Sequence, residues 1–259
     1  MDALFPDLLA QLPSLWWPFC RMLALFSAAP VLGDGSVPVT VRVLLSLVLA
    51  VVMLPLATPV AAIDPLSLQA VIATLEQAVI GGVLGLALHF CTSVIMVLGY
   101  LVSSQMGLSM AVMNDPVSGV SSDVVSSLLS VLGILVFFSI DGHLMLTQVA
   151  GASFQQWPVG SGLRVPTLQL VAYNVSWVFS AALLLALPVV FATLLVQIGF
   201  GFLARVAPTL NLYSLGFSVV TLLGLYLLAG LASALPEHYL RLTAQVFELL
   251  RQALGGPVS

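Results

Sequence analysis

Lysine is absent from this 259-residue chain, and Asp, Glu, Lys and Arg together make up only 6% of it. A soluble domain carries about 25% charged residues. So few charges cannot build a water-facing surface. With 61% hydrophobic residues, the chain reads as an integral membrane protein. The formal net charge of -4 is weak and dispersed, which excludes an electrostatic case for a nucleic-acid partner. Only two cysteines occur, Cys20 and Cys91. Both lie inside apolar runs, away from the exposed, oxidising loops a disulfide framework needs, so they read as packed thiols. No cleaved signal peptide is recognisable, since the first seven residues hold Asp2 and Asp7 and no base.

Catalytic signatures are missing too. There is no Gly-rich phosphate loop, no GxSxG and no HExxH. Asp141 and His143 stand two apart, but a metal normally takes about three or four ligands, and His89 and His238 lie far away in sequence. The expectation is a non-enzymatic chain with no metal and no cofactor, in which Asp141-Gly142-His143 is a polar helix end broken by Gly142.

What is present is a series of long apolar runs. About 20 apolar residues cross a bilayer as a helix. Runs lie at about residues 15–32, interrupted by Pro18, Arg21 and Pro30, and at 37–56, with Arg42 near the start. Pro55, Pro59 and Pro65 then favour an extended connection. Residues 70–113 are about twice the length of one span, so they form two helices or one long kinked helix. Gly81, Gly82, Gly85 and Gly99 are the available weak points. Gly81 and Gly85 also make a GxxxG, which permits close helix contact. A fourth run covers 124–150, and a loop covers 153–166. Runs five and six, at 167–187 and 188–203, are separate helices or one hairpin. The last run covers 209–235. After Pro236 an amphipathic tail follows, with Leu240, Val246, Phe247, Leu250 and Leu254 near one face and Arg241, Glu248 and Arg251 near the other. The fold class is all-α and polytopic, built of long kinked helices and hairpins.

The most distinctive break is residues 105–123, QMGLSMAVMNDPVSGVSSD. It has a turn signature at Asn114-Asp115-Pro116 and a glycine at 119. Met106, Met110 and Met113 precede it at i, i+4, i+7, which predicts one helical face. As residues alone, this is either a loop whose methionines pack on a neighbour or a moving closure inside a passage. The residues favour the loop. Arg21, Arg42 and Glu76 lie in or beside apolar runs, where a central charge costs roughly 2.5–3.5 kcal/mol on insertion scales. Structural pairing inside an assembly is favoured over an ion or proton path. Residues 205–217 form a polar connection ended by Pro208, with Asn211 or Ser214 able to cap the next helix.

That connection, Ala204-Arg205-Val206-Ala207-Pro208-Thr209-Leu210-Asn211-Leu212-Tyr213-Ser214-Leu215-Gly216-Phe217, completes an ordered motif series. Upstream stand Pro18, Arg21, Ala29-Pro30, Val37-Pro38, Val41-Arg42, Glu76, Gly82, Gly85, Gly99 and Gln105-Met106-Gly107-Leu108-Ser109. Asp115-Pro116, Asp141-Gly142-His143, Ser153, Pro158 and Gly160 follow in order. In this series the chain resembles the FliR family of flagellar type III export-gate membrane proteins, and more distantly its injectisome counterparts. Ser218 departs from the family, which usually has proline there.

The resemblance implies a helical hetero-oligomer with FliP and FliQ homologues. Residues 1–165 would be the FliP-like part and 166–259 the FliQ-like hairpin with its tail. It implies a channel for unfolded protein substrates, with a FlhB-type export-gate protein nearby. The setting would be the flagellar basal body in the bacterial inner membrane, with the assembly protruding to the periplasmic side. It implies a plug at about residues 106–122, carried by Met106, Met110, Met113, Asn114, Asp115, Pro116 and Gly119, which shifts the reading of that stretch toward closure. Arg42, Glu76 and Arg205 would then be structural charges paired across subunits. The alternative is a stand-alone small-solute or ion transporter, whose hallmark would be corresponding broken helices in two related halves. The halves of this chain are not visibly related.

Overall fold

The computed structural model describes residues 4–35, 37–56, 67–108, 112–114, 121–207 and 212–254. The first three helices are α1 (Leu4–Ala28), α2 (Val39–Met53) and α3 (Leu68–Gln105). A two-stranded ladder follows, β1 (Val112–Asn114) with β2 (Ser121–Asp123). Five more helices are α4 (Val124–Ser139), α5 (Gly142–Gln156), α6 (Val165–Tyr173), α7 (Val175–Val206) and α8 (Leu212–Leu254). Among the described residues, four stretches are long and apolar enough to cross a membrane, or up to five if α4 and α5 count as one broken span.

Several expected breaks are not breaks. Pro18 lies inside α1, Pro188 inside α7 and Pro236 inside α8. A proline costs a helix one hydrogen bond and a steric contact, about 3 kcal/mol. In a segment with no water for its other backbone groups, leaving the helix costs more. Runs five and six are therefore not divided at Pro188. The division falls earlier, at Asn174, between α6 and α7. The tail after Pro236 is the continuation of α8, and its buried face runs Leu235, Tyr239, Leu242, Val246, Leu250 and Leu254. Leu240, expected on that face, is exposed. Residues 70–105 are one helix, and no glycine kinks it into two. At 1.5 Å per residue, the 38 residues of α3 run about 57 Å, well beyond a hydrocarbon core of about 30 Å.

The chain packs as two units. One comprises Met1–Phe90, Asp141–Asn174 and Thr243–Ser259, and the other Cys91–Ile140 and Val175–Leu242. In the first unit, α1 lies directly on α3 through the Gly81/Gly85 pair. A Cβ at 81 would stand 2.1 Å from the Arg21 carbonyl oxygen, and one at 85 would stand 2.3 Å from that of Leu25. Only bare backbone allows such an approach.

Arg21 is fully buried in this unit. Its Nε donates to Gln77 Oε1 at 2.7 Å, one terminal nitrogen to the Ser153 carbonyl at 2.9 Å, and the other to the Trp157 carbonyl at 2.8 Å. The guanidinium also lies 4.4 Å from the Phe154 ring centre. Gln77 Nε2 in turn donates to Glu76 Oε1 at 3.4 Å. The amide thus bridges a buried cation and a buried carboxylate, and the cation sits over the carbonyl end of α5, where the helix dipole favours it.

Arg42 serves a second carbonyl cluster. Its Nε donates to the Leu32 carbonyl at 2.9 Å and a terminal nitrogen to that of Asp34 at 3.2 Å. These carbonyls belong to the turn after α1, where Val31 sits at φ 65. A β-branched residue holds that conformation only when its surroundings over-determine it. Asp141, at φ 58, makes the break between α4 and α5. Gly142, expected to be the breaker, is the first residue of α5. A short polar side chain tolerates the left-handed region better than most, so Asp can do the work assigned to glycine.

Gly81→Ala should lower the amount of folded chain in the membrane, while Gly82→Ala, whose Cβ would meet nothing within 4 Å, should leave it unchanged. Quantitative immunoblots after limited proteolysis of membranes distinguish the two. Arg21→Ala should cost about 3–5 kcal/mol, because buried partners are left behind. Arg21→Lys should not recover it, since an ammonium cannot span three separated acceptors. Wild-type melting of the Lys variant in detergent would overturn this account.

Candidate functional site

The stretch singled out from sequence begins where α3 ends. Regular helix stops at Gln105, Met106 closes the last turn on the Val102 carbonyl at 3.1 Å, and Gly107 takes φ +72. Glycine adopts this left-handed position without penalty, which makes it the usual helix stop. Met113 then lies in β1, so Met106, Met110 and Met113 do not share a helical face as their spacing predicts. The chain returns antiparallel, with Val112 opposite Asp123, Met113 opposite Ser122 and Asn114 opposite Ser121. Met110, Asp115, Pro116 and Gly119 lie outside the described residues.

Both stems of this hairpin are anchored within the second unit. On the incoming side, Met106 is fully buried. The Thr221 hydroxyl lies 3.1 Å from the Met106 carbonyl, and Gln197 Nε2 lies 3.4 Å from that of Gln105. The last carbonyls of α3 therefore find donors on α8 and α7. A cavity of about 400 Å³ opens beside Met106. Its walls are mostly small or apolar, with Gly107, Gly201, Phe200 and Phe217 among them, and Gln105 and Gln197 also line it.

On the outgoing side, Asp123 caps α4. Its Oδ1 accepts from the Ser126 amide at 2.9 Å, and its Oδ2 lies 2.5 Å from the Ser126 hydroxyl. That hydroxyl is also 3.2 Å from the Met96 carbonyl of α3. Burial works against a charge on Asp123, but the hydrogen bonds from Ser126 outweigh it and hold the carboxyl below its usual range. Gly99 makes the contact possible, since a Cβ there would stand 2.5 Å from the Ser126 Cα. Gly99, read as a possible kink, is a site of close helix approach.

Of the expected structural charges, Arg42 and Glu76 have the partners described above, whereas Arg205 is exposed in the last turn of α7. Ser214, expected as a cap, lies inside α8, and Asn211 is outside the described residues. Sequence reasoning missed Asp123, Thr221 and Gly224. Asp123 carried a signal, a capping residue just before an apolar run. Thr221 and Gly224 carried none. Among the described residues, no three His, Cys, Asp or Glu side chains gather to hold a metal ion.

Similarity to known proteins covers nearly the whole chain. The chain is 31% identical over 249 residues to the flagellar biosynthetic protein FliR of Pectobacterium carotovorum subsp. carotovorum, spanning 96% of this chain and 95% of that protein. It is 30% identical over 248 residues to the FliR of Escherichia coli K12, spanning 95% of each. The surface presentation of antigens protein SpaR of Salmonella typhimurium is 27% identical over 230 residues, spanning 88% of this chain and 86% of SpaR. The family model for bacterial export proteins, family 1, matches residues 12–246. This integral membrane protein therefore belongs to family 1 of the bacterial export proteins.

Proposed function

We propose that the chain is a non-enzymatic core subunit of the flagellar type III protein-export gate. In this reading it forms, with FliP and FliQ homologues, the channel through which unfolded flagellar subunits pass, and an FlhB-type protein attends it. Residues 1–165 act as the FliP-like part and 166–259 as the FliQ-like hairpin, so one copy completes the helical assembly. The complex belongs to the basal body in the inner membrane and protrudes to the periplasmic side. Driving force and ATP hydrolysis come from other components.

The observation that carries this reading is the near full-length similarity to relatives named as flagellar biosynthetic proteins. Physical features support it. Apolar side chains such as Leu183, Leu184, Phe191 and Leu195 on α7 are exposed in the single chain, and an apolar face of this size is covered by lipid or protein. Arg205 and the partly exposed Arg42 are available to pair across subunits.

The closure is the segment of about residues 106–122, with Met106, Met110, Met113, Asn114, Asp115, Pro116 and Gly119 in it. Unbranched methionine side chains repack as a passage widens.

Two outcomes test the reading. Gentle solubilisation should give one complex containing this chain together with FliP and FliQ homologues, read by native mass spectrometry. A homo-oligomer alone would overturn it. Deleting residues 110–122 should leave that complex assembled and make it leaky to ions in planar bilayers. Unchanged conductance would remove the closure role.

A further inference from the structure

We infer that Thr221 and Gly224 of α8 are positioning residues for the closure, forming a seat that holds Met106 while the gate is shut. This rests on the closure reading above. The geometry is specific to the seat. A Cβ on residue 224 would stand 2.4 Å from Met106 Cγ, 2.9 Å from its sulfur and 3.2 Å from its Cε. Three successive atoms of one side chain therefore lie over bare glycine. One turn earlier, the Thr221 hydroxyl reaches the Met106 carbonyl at 3.1 Å and the Phe217 carbonyl at 2.9 Å. One turn before that, the Phe217 ring lies where a Cβ on Gly107 would be, 2.7 Å away. Positions 217, 221 and 224 share one face of α8. Successive turns of that helix thus meet the glycine after Met106, its carbonyl and its side chain.

Plain core packing would lock this point. Three features make it releasable. Methionine is unbranched and leaves a groove through many rotamers, and the cavity of about 400 Å³ beside Met106 and Gly107 gives the side chain somewhere to go. The Thr221 hydroxyl keeps the Phe217 carbonyl as a partner, so freeing Met106 leaves no donor stranded. Gly230 lies on the same helix but has no part in the seat, and a methyl group there would meet nothing within 4 Å.

The test uses the complete purified gate complex in planar bilayers, with complex yield measured for every variant. Gly224→Ala should raise closed-state ion leak about tenfold, because overpacking this contact destabilises the shut arrangement, while Gly230→Ala should not. Met106→Ala should also leak, and Gly224→Ala combined with Met106→Ala should leak no more than Met106→Ala alone, because the added methyl meets the vacated space. If Gly224→Ala does not assemble, Thr221→Val keeps the shape, removes the donor and should leak. An assembled Gly224→Ala or Thr221→Val complex that stays tight, beside a leaking deletion of residues 110–122, overturns the seat and leaves the closure standing. A tight deletion complex overturns both, and equal leak from Gly230→Ala overturns the seat.

Discussion

A helix that ends away from water leaves carbonyls with nothing to accept, and each one stranded costs as much as a lost hydrogen bond or more. This chain has many such ends and very few charged side chains with which to meet them. Three of its arginines are placed accordingly. Arg21 donates to the carbonyls of Ser153 and Trp157, Arg42 to those of Leu32 and Asp34, and Arg164 to those of Gln156 and Leu254. Arg164 also lies 5.4 Å from the Trp157 ring centre. Helix α5 has no basic residue in its own last turn, yet Arg21 and Arg164 cover its end from elsewhere in the chain. A guanidinium suits this work better than an ammonium, because its fork reaches several acceptors at once. The absence of lysine fits the same demand.

Uncharged residues follow the same logic around the hairpin. Thr221 and Gln197 serve the last carbonyls of α3, and the Asp123 carboxylate serves the first amides of α4. The two stems are thus held by one satisfied acceptor or donor set each. Close packing adds to the anchoring at Gly99 and Gly224, where glycine lets another segment touch backbone, as Gly81 and Gly85 do for α1 on α3. A Cβ at Gly82 or Gly230 would meet nothing in the single chain, so glycine content alone does not identify the contacts.

Membrane class, helix content and the break near residue 106 were legible in the sequence because each depends on local composition. An apolar run must satisfy its backbone internally, so it is helical whatever surrounds it. The same rule explains the misreadings. Proline at 188 looks like a stop by its local chemistry, yet the helix continues because in an apolar segment no solvent waits to receive its freed groups. The spacing of Met106, Met110 and Met113 looks helical, yet Gly107 turns the chain out of the helix one residue after Met106. Asp141, not its glycine neighbour, takes the left-handed turn.

The sequence by itself determined that this is a helical membrane protein, that the Gly81/Gly85 pair permits close helix contact, and that a polar interruption follows the long apolar run ending near residue 105. Only the tertiary structure decided which carbonyl each arginine meets, where Asp123 and Thr221 act, and that Met106 rests on Gly224. Hydropathy and propensity act over a few neighbouring residues. The bonds from Arg21 to Ser153 and from Thr221 to Met106 join positions 132 and 115 residues apart, and no local pattern encodes which distant groups the packed helices bring within 3 Å or so.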